Sequence, residues 1–276
     1  MKDHPAVRCV LAPNPSPMTL DGTRTYLVGR ERPVVIDPGP ALDAHVQAVE
    51  AALGGAAPAA ILLTHSHADH AGAAPALAER TGAPVWMARG ALRAGLGSGL
   101  VVGRWIGDGD AVETDAGTLS AIATPGHAPE HLAFVLRQGV RSSWDVAFVG
   151  DHLMGVGDTV LVAPPEGDLA DYLDSLERLG EAEAEVMYPA HGPPIPDPAA
   201  ALRRYAAHRE SRIAQVREAL REGGPARPAA LVKRVYGDGL DPALVRAAEG
   251  SLGAILGYLQ KRGEVRRGLL GAWSLA

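Results

Sequence analysis

AAILLTHSHADH, residues 59–70, decides how the rest of this chain is read. The apolar run AAILL reaches Thr64, and three histidines and an aspartate then fall within residues 65–70. The chain has ten histidines in 276 residues. At such frequencies H-x-H-x-D-H arises by chance in on the order of one in a thousand sequences. A short buried strand running into a polar loop is where open α/β folds build their sites. Neutral imidazole and carboxylate are the nitrogen and oxygen ligands of zinc, and a compact loop can aim them from several sides. A lone histidine reads as a cap or core residue; the cluster His65, His67, Asp69 and His70 reads as metal ligands.

Around this stretch, strand-like and helix-like segments alternate. TYLVG (25–29) and PVVIDPG (33–39) read as strands, the second closed by a Pro-Gly turn. Residues 41–55 space Leu42, Val46, Val49 and Leu53 as a helix that stops at Gly54-Gly55. GAAPALAERTG (72–82) reads as a helix and PVWMA (84–88) as a strand. The Gly-rich stretch at 90–103 reads as a surface loop, since no P-loop Lys-Ser/Thr follows it. Strands are expected at TLSAIA, LAFVL, DVAFVG and AEVMYP, with a helix over DLADYLDSLERLG (168–180). At GPPIPDPAA three prolines stiffen the chain, and Asp197-Pro198 supplies an N-cap and a first-turn proline. An amphipathic helix follows with Leu202, Tyr205, Ile213, Val216 and Leu220 on one face, then a short helix at PAALVKRVYG. Asp241-Pro242 repeats the start signal for a third helix closed by Gly263, and EVRRGLLGAWSLA reads as two short strands around a turn. Three helices and a hairpin are the order of a winged helix. The expected division is 1–196 and 197–276.

One cluster cannot complete two metal shells. Three later strand ends offer what is missing: TPGH at His127, VGDH at Asp151 and PAHG at His191. With THSHADH, these motifs occur in the order of the metallo-β-lactamase superfamily, which residues 1–196 resemble, and VVIDPG looks like that superfamily's early Asp-x-Gly strand end. The resemblance implies an α/β (α+β) fold, a four-layer αββα sandwich, followed here by the small winged helix. It implies that His65, His67 and His127 hold one divalent ion, that Asp69, His70 and His191 hold a second, that Asp151 bridges, and that Asp37 orients a ligand. Zinc is the first expectation, with manganese or iron as alternatives. NPSPMTLDGTRTYLVG and the winged tail are similar to the lactamase-like protein 2 branch. Its animal members cut single-stranded RNA, and its fungal relatives hydrolyse polyketide thioesters on carrier proteins. That branch usually has Asn where this chain has Arg24, a cation that bears on substrate choice.

The expected chemistry is hydrolysis by a metal-bridging hydroxide, with Asp69 orienting the nucleophile and His131 or His152 as candidate general acid. The same two histidines read equally well as structural or surface residues. Cleavage of single-stranded RNA leads, because the tail carries Arg203, Arg204, Lys233, Arg234, Lys261, Arg262, Arg266 and Arg267. Against it, the tail lacks aromatics interleaved with those charges for base stacking; besides Tyr205 and Tyr258 it has only Tyr236 and Trp273, which read equally well as core. A thioesterase or glyoxalase II-like hydrolase is the alternative. A non-catalytic DNA-binding regulator is a third reading, opposed by a ligand set with an open bridging position, since structural zinc sites are closed. Winged helices also serve as dimerisation or lid elements, which leaves a homodimer open.

Charge adds contrast. Residues 200–276 hold 14 Lys/Arg against 7 Asp/Glu, whereas the whole chain has a net charge of −6, so the body is acidic. The single cysteine, Cys9, excludes an internal disulfide, suits a reducing compartment and, within VRCVLA, reads as a small core residue. No apolar run reaches the roughly 18 residues of a membrane span, and no signal-peptide pattern opens the chain. The expected location is cytoplasmic.

Overall fold

The computed structural model describes residues 4–90, 100–137 and 145–276. Eleven strands form two sheets. The first has the order β1 (Val7–Leu11), β2 (Arg24–Val28), β3 (Val34–Ile36), β4 (Ala60–Leu62), β5 (Val85–Ala88), β6 (Val102–Ile106). The second has the order β11 (Val186–Pro189), β10 (Val146–Gly150), β9 (Leu132–Arg137), β8 (Gly117–Ala123), β7 (Ala111–Thr114). β3 to β6 run parallel, as do β10 and β11, while β1–β2–β3 and β7–β8–β9–β10 are antiparallel.

Three apolar clusters define the layers. Val34, Leu62, Phe134 and Phe148 fill the space between the sheets. On the outer face of the first sheet, Val35 and Ile61 pack against Val49 and Leu53 of α1 (Asp43–Leu53), Ala71 of the short α2 (Ala68–Ala71) and Leu77 of α3 (Ala74–Thr81). On the outer face of the second, Val135 and Met187 pack against α4 (Leu169–Glu181). This is the four-layer αββα sandwich. The helix over 41–55 begins one residue later than the pattern, because Leu42 takes the extended N-cap position and stays partly exposed.

The tail follows the sequence reading closely. The Asp197 carboxylate accepts the Ala200 N–H at 2.9 Å and opens α5 (Pro198–Gly223). Leu202, Tyr205, Ile213, Val216 and Leu220 are all buried on its inner face. α6 (Pro228–Tyr236) and α7 (Val245–Lys261) precede the hairpin β12 (Val265–Arg267) and β13 (Trp273–Leu275). The Asp241-Pro242 signal opens a 3₁₀ turn, Pro242–Leu244, that feeds α7. Tail and sandwich share one apolar cluster, in which Leu202, Tyr205 and Ile255 join Tyr172 and Met187.

Cys9 and the strands β6 and β7 differ from expectation. Cys9 is exposed, because β1 is an edge strand. β6 and β7 are edge strands that the patterning did not signal; most residues of each are only partly buried or exposed. Much of the Gly-rich stretch, residues 91–99, lies outside the described residues. Among the described residues no helix is long and apolar enough to cross a membrane.

Candidate metal centre

Parallel pairing puts the C-terminal ends of β3 and β4 on one rim and those of β10 and β11 on the facing rim. Asp37 follows β3, the 65–70 segment follows β4, His127 follows β8, Asp151 follows β10 and His191 follows β11. Backbone bonds tie the sheets together at this rim: Leu132 N donates to Thr64 O and Arg24 N to Ala190 O, both at 2.8 Å. Two glycines make the approach feasible. A Cβ on Gly126 would lie 2.4 Å from Tyr172 Cα, and one on Gly150 would lie 2.5 Å from His131 Nε2.

The predicted ligands converge as two groups: His65, His67, His127 and Asp151, and Asp69, His70 and His191. Within each, the ligand atoms lie within 4.8 Å of one another. Asp151 faces both. Its Oδ2 lies 3.5 Å from His127 Nε2, and its Oδ1 lies 3.3 Å from His70 Nε2 and 3.1 Å from His191 Nε2. Asp69 Oδ2 lies 3.3 Å from His191 Nε2 and 3.6 Å from His70 Nε2.

The outward nitrogens decide which tautomers hold. His127 Nδ1 donates to Leu161 O at 2.7 Å and His191 Nδ1 to Gly22 O at 3.2 Å. His70 Nδ1 donates to Asp37 Oδ2 at 2.9 Å, and His67 Nε2 to Glu166 Oε2 at 3.0 Å. The Thr64 hydroxyl donates to Asp37 Oδ2 at 2.7 Å, so its oxygen accepts from His65 Nδ1 at 3.0 Å. Each neutral ring therefore presents a lone pair inward. His67 Nδ1 then lies 2.9 Å from His65 Nε2 and 3.0 Å from His127 Nε2, lone pairs that repel unless a cation sits among them. His70 Nε2 and Asp151 Oδ1 are buried without a hydrogen bond. The donor set suits zinc, iron or manganese, and these side chains fit a divalent ion in each group.

Charge within the centre is strongly coupled. Burial alone would raise the Asp151 carboxyl, but His70 and His191 outweigh it and hold it well below the usual range. Burial would likewise lower His191; the carboxylates of Asp151 and Asp69 reverse this and raise it to about 9. A folded pKa above the ordinary 6.5 means that this pairing contributes stability fully below pH 6.5 and loses it as pH rises toward 9. Chelator-treated protein is expected to lose thermal stability across that interval, with the loss flattened in an Asp151→Ala variant. A wild-type melting profile flat over the same range would sink the pairing.

His131 and His152 face away from the centre. His131 is buried; its ring bonds to Thr124 Oγ1 at 2.8 Å, and its Nε2 accepts the Asp151 N–H at 3.3 Å. That makes it a brace for the Asp151 turn rather than a proton donor aimed at the cleft. His152 donates to Tyr172 O at 3.3 Å, stacks on the Tyr172 ring and is pushed down to about 3 by burial. Several supports carry no local sequence signal. Glu166 meets His67 from 99 residues away. Glu130 accepts Ser66 Oγ at 2.6 Å, although its place beside His131 in APEH could have flagged it. Arg209, buried on α5, donates to Val160 O and stacks on Tyr172, steadying the segment whose Leu161 carbonyl holds His127.

With this geometry established, comparison with known proteins gives the family. Residues 18–191 match the metallo-beta-lactamase superfamily, and residues 228–273 match the beta-lactamase associated winged helix domain. The chain belongs to the metallo-beta-lactamase superfamily. It is 30% identical to a beta-lactamase-like protein 2 homolog of Caenorhabditis elegans over 94% of this chain and 86% of that one. It is 34% identical to an atrochrysone carboxyl ACP thioesterase of Aspergillus chevalieri over 79% of this chain and 67% of that one. Other fungal lactamase-like relatives are longer, and the chain spans 47–65% of their length. A beta-lactamase domain protein of Burkholderia ambifaria superposes with a TM-score of 0.85 at 25% identity, covering 100% of this chain and 93% of that one. The superfamily domain, its winged helix and the ligand cluster make this chain a metal-binding hydrolase.

Proposed function

We propose that this hydrolase cleaves thioesters, with residues 1–196 as the catalytic domain and the tail closing the substrate cleft. The observation that carries this reading is a cavity of about 350 Å³ that opens at His127 and Asp151. Its walls are largely apolar, from Met18, Leu20, Met154, Val156, Leu240 and Leu244, and so combine the sandwich with the tail. A volume within the ~300–1,000 Å³ of small-molecule sites, lined mainly by hydrocarbon, suits an acyl chain better than a polyanion. The Aspergillus relative named as an ACP thioesterase supports the same class.

His65, His67 and His127 would hold one divalent ion, and Asp69, His70 and His191 the other, with Asp151 between them. Bound there, the ions would supply Lewis acidity toward a carbonyl oxygen and a lowered pKa for water. The Asp69 carboxylate, 30% exposed, would accept a hydrogen bond from the attacking water and orient it. The Leu161 carbonyl keeps the His127 lone pair turned inward. The apolar walls exclude bulk water from the acyl chain. Because His131 and His152 both face away, a leaving group that departs unprotonated is favoured, and a thiolate, with a pKa of roughly 8.5, does so far more readily than a sugar alkoxide.

Five of the eight tail cations that point to RNA are engaged within the protein. Lys261 pairs with Asp168, Lys233 with Asp238 and Arg262 with Glu264, while Arg204 and Arg234 donate to backbone carbonyls. The test compares zinc- and manganese-loaded protein on an acyl thioester and on labelled single-stranded RNA. Thiol release is expected, falling on the order of 10²-fold in Asp69→Asn and changing little with salt. RNA cuts that weaken steeply with salt, without thiol release, would overturn the proposal.

A further inference from the structure

Two arginines of α5 are committed to acids, while Arg204 and Arg209 donate to backbone carbonyls. Arg217 pairs with Glu264 at 2.7 Å, and Arg221 pairs with Glu218. Arg212, which lines the apolar cleft, has no carboxylate partner among the described residues. Its guanidinium lies 4.4 Å from the centroid of the Tyr236 ring, and its Nη1 donates to the exposed Gln215 side chain at 2.8 Å. The acid on the same wall, Asp158, is engaged by His208 Nδ1 at 3.1 Å. A cation held over an aromatic face has its fork of N–H donors steadied. A guanidinium on a hydrocarbon wall costs desolvation that a bound anion would offset.

We infer that this cleft takes an acyl group carrying a carboxylate at the end remote from the thioester, and that Arg212, set on Tyr236, binds that carboxylate. The hydrocarbon walls between the metal ligands and α5 fit the chain joining the two ends, and one cation matches one negative charge. The reaction is the hydrolysis proposed above: water supplies the oxygen of the new carboxyl group, the C–S bond breaks and the thiol leaves. The inference rests on that reading for turnover, but not for binding.

The test uses the full metal-loaded chain and coenzyme A monothioesters of dicarboxylic acids, from succinyl to dodecanedioyl. Each is paired with the monocarboxylic thioester of equal length. At the chain length that spans the cleft, kcat/KM is expected to favour the dicarboxylic substrate on the order of tenfold, the worth of one charge-assisted hydrogen bond. The ratio should fall toward one in Arg212→Gln and be partly retained in Arg212→Lys. Calorimetric titration with the free dicarboxylate against the monocarboxylate reads the same preference without turnover. A ratio near one at every length, or a preference that survives in a folded Arg212→Gln, overturns the subsite. Absence of thiol release with the binding preference intact would overturn thioester hydrolysis and leave the subsite standing.

Discussion

Replacing Asp151 with Ala is expected to lower turnover by on the order of 10³-fold or more, the largest single effect at this centre. One of its oxygens faces each ligand group, so the substitution removes a donor from both at once. Changes in the supports of metal ligands typically cost about 10–100-fold, and a shared ligand should exceed that range. It also strips the nearby charge that offsets burial of His70 and His191. Metal content after dialysis should fall together with kcat. A variant that keeps two ions per chain and near-normal turnover would show that Asp151 does not bridge.

The second large effect falls on a residue that is not among the proposed ligands. Asp37 is buried, and its carboxylate accepts from Thr64 N at 2.8 Å, Thr64 Oγ1 at 2.7 Å and His70 Nδ1 at 2.9 Å. Its φ of +49° is a left-handed backbone that Asp tolerates better than most residues, aiming the carboxylate back under the histidine segment. Asp37→Ala leaves three buried donors without an acceptor, so about 3 kcal/mol or more of stability should be lost. Metal affinity should fall about 10–100-fold, since His70 loses the partner that sets its tautomer. Urea unfolding of chelator-treated protein isolates the first effect, and titration against a competing chelator isolates the second. Lost stability with unchanged affinity would leave Asp37 a purely structural support.

Both predictions concern residues that the sequence already singles out, and the reason is local. THSHADH, TPGH, VGDH and PAHG each follow an apolar run, so strand periodicity places their polar residues at strand ends before any tertiary contact is considered. The Asp197-Pro198 cap and the face of α5 are legible for the same reason: caps and helical spacing act within one or two turns. The edge strands β6 and β7 are not, because their partly exposed residues carry little of the buried pattern on which such reading depends.

What the sequence determined by itself is therefore the candidate ligand set, the order of helices and strands apart from the edge strands, and the family they belong to. Tertiary structure alone decided which way those side chains face and what else meets them. His152 shares VGDH with Asp151 and His131 lies four residues after His127, yet both turn away from the centre to brace the chain. Glu166 and Arg209 reach the centre from elements distant in the chain, and Cys9 faces outward because its strand lies at a sheet edge. The cleft itself exists only where residues near 18 meet those near 240. Residue type and spacing follow from local periodicity, whereas side-chain direction and long-range partners are settled by how the layers pack.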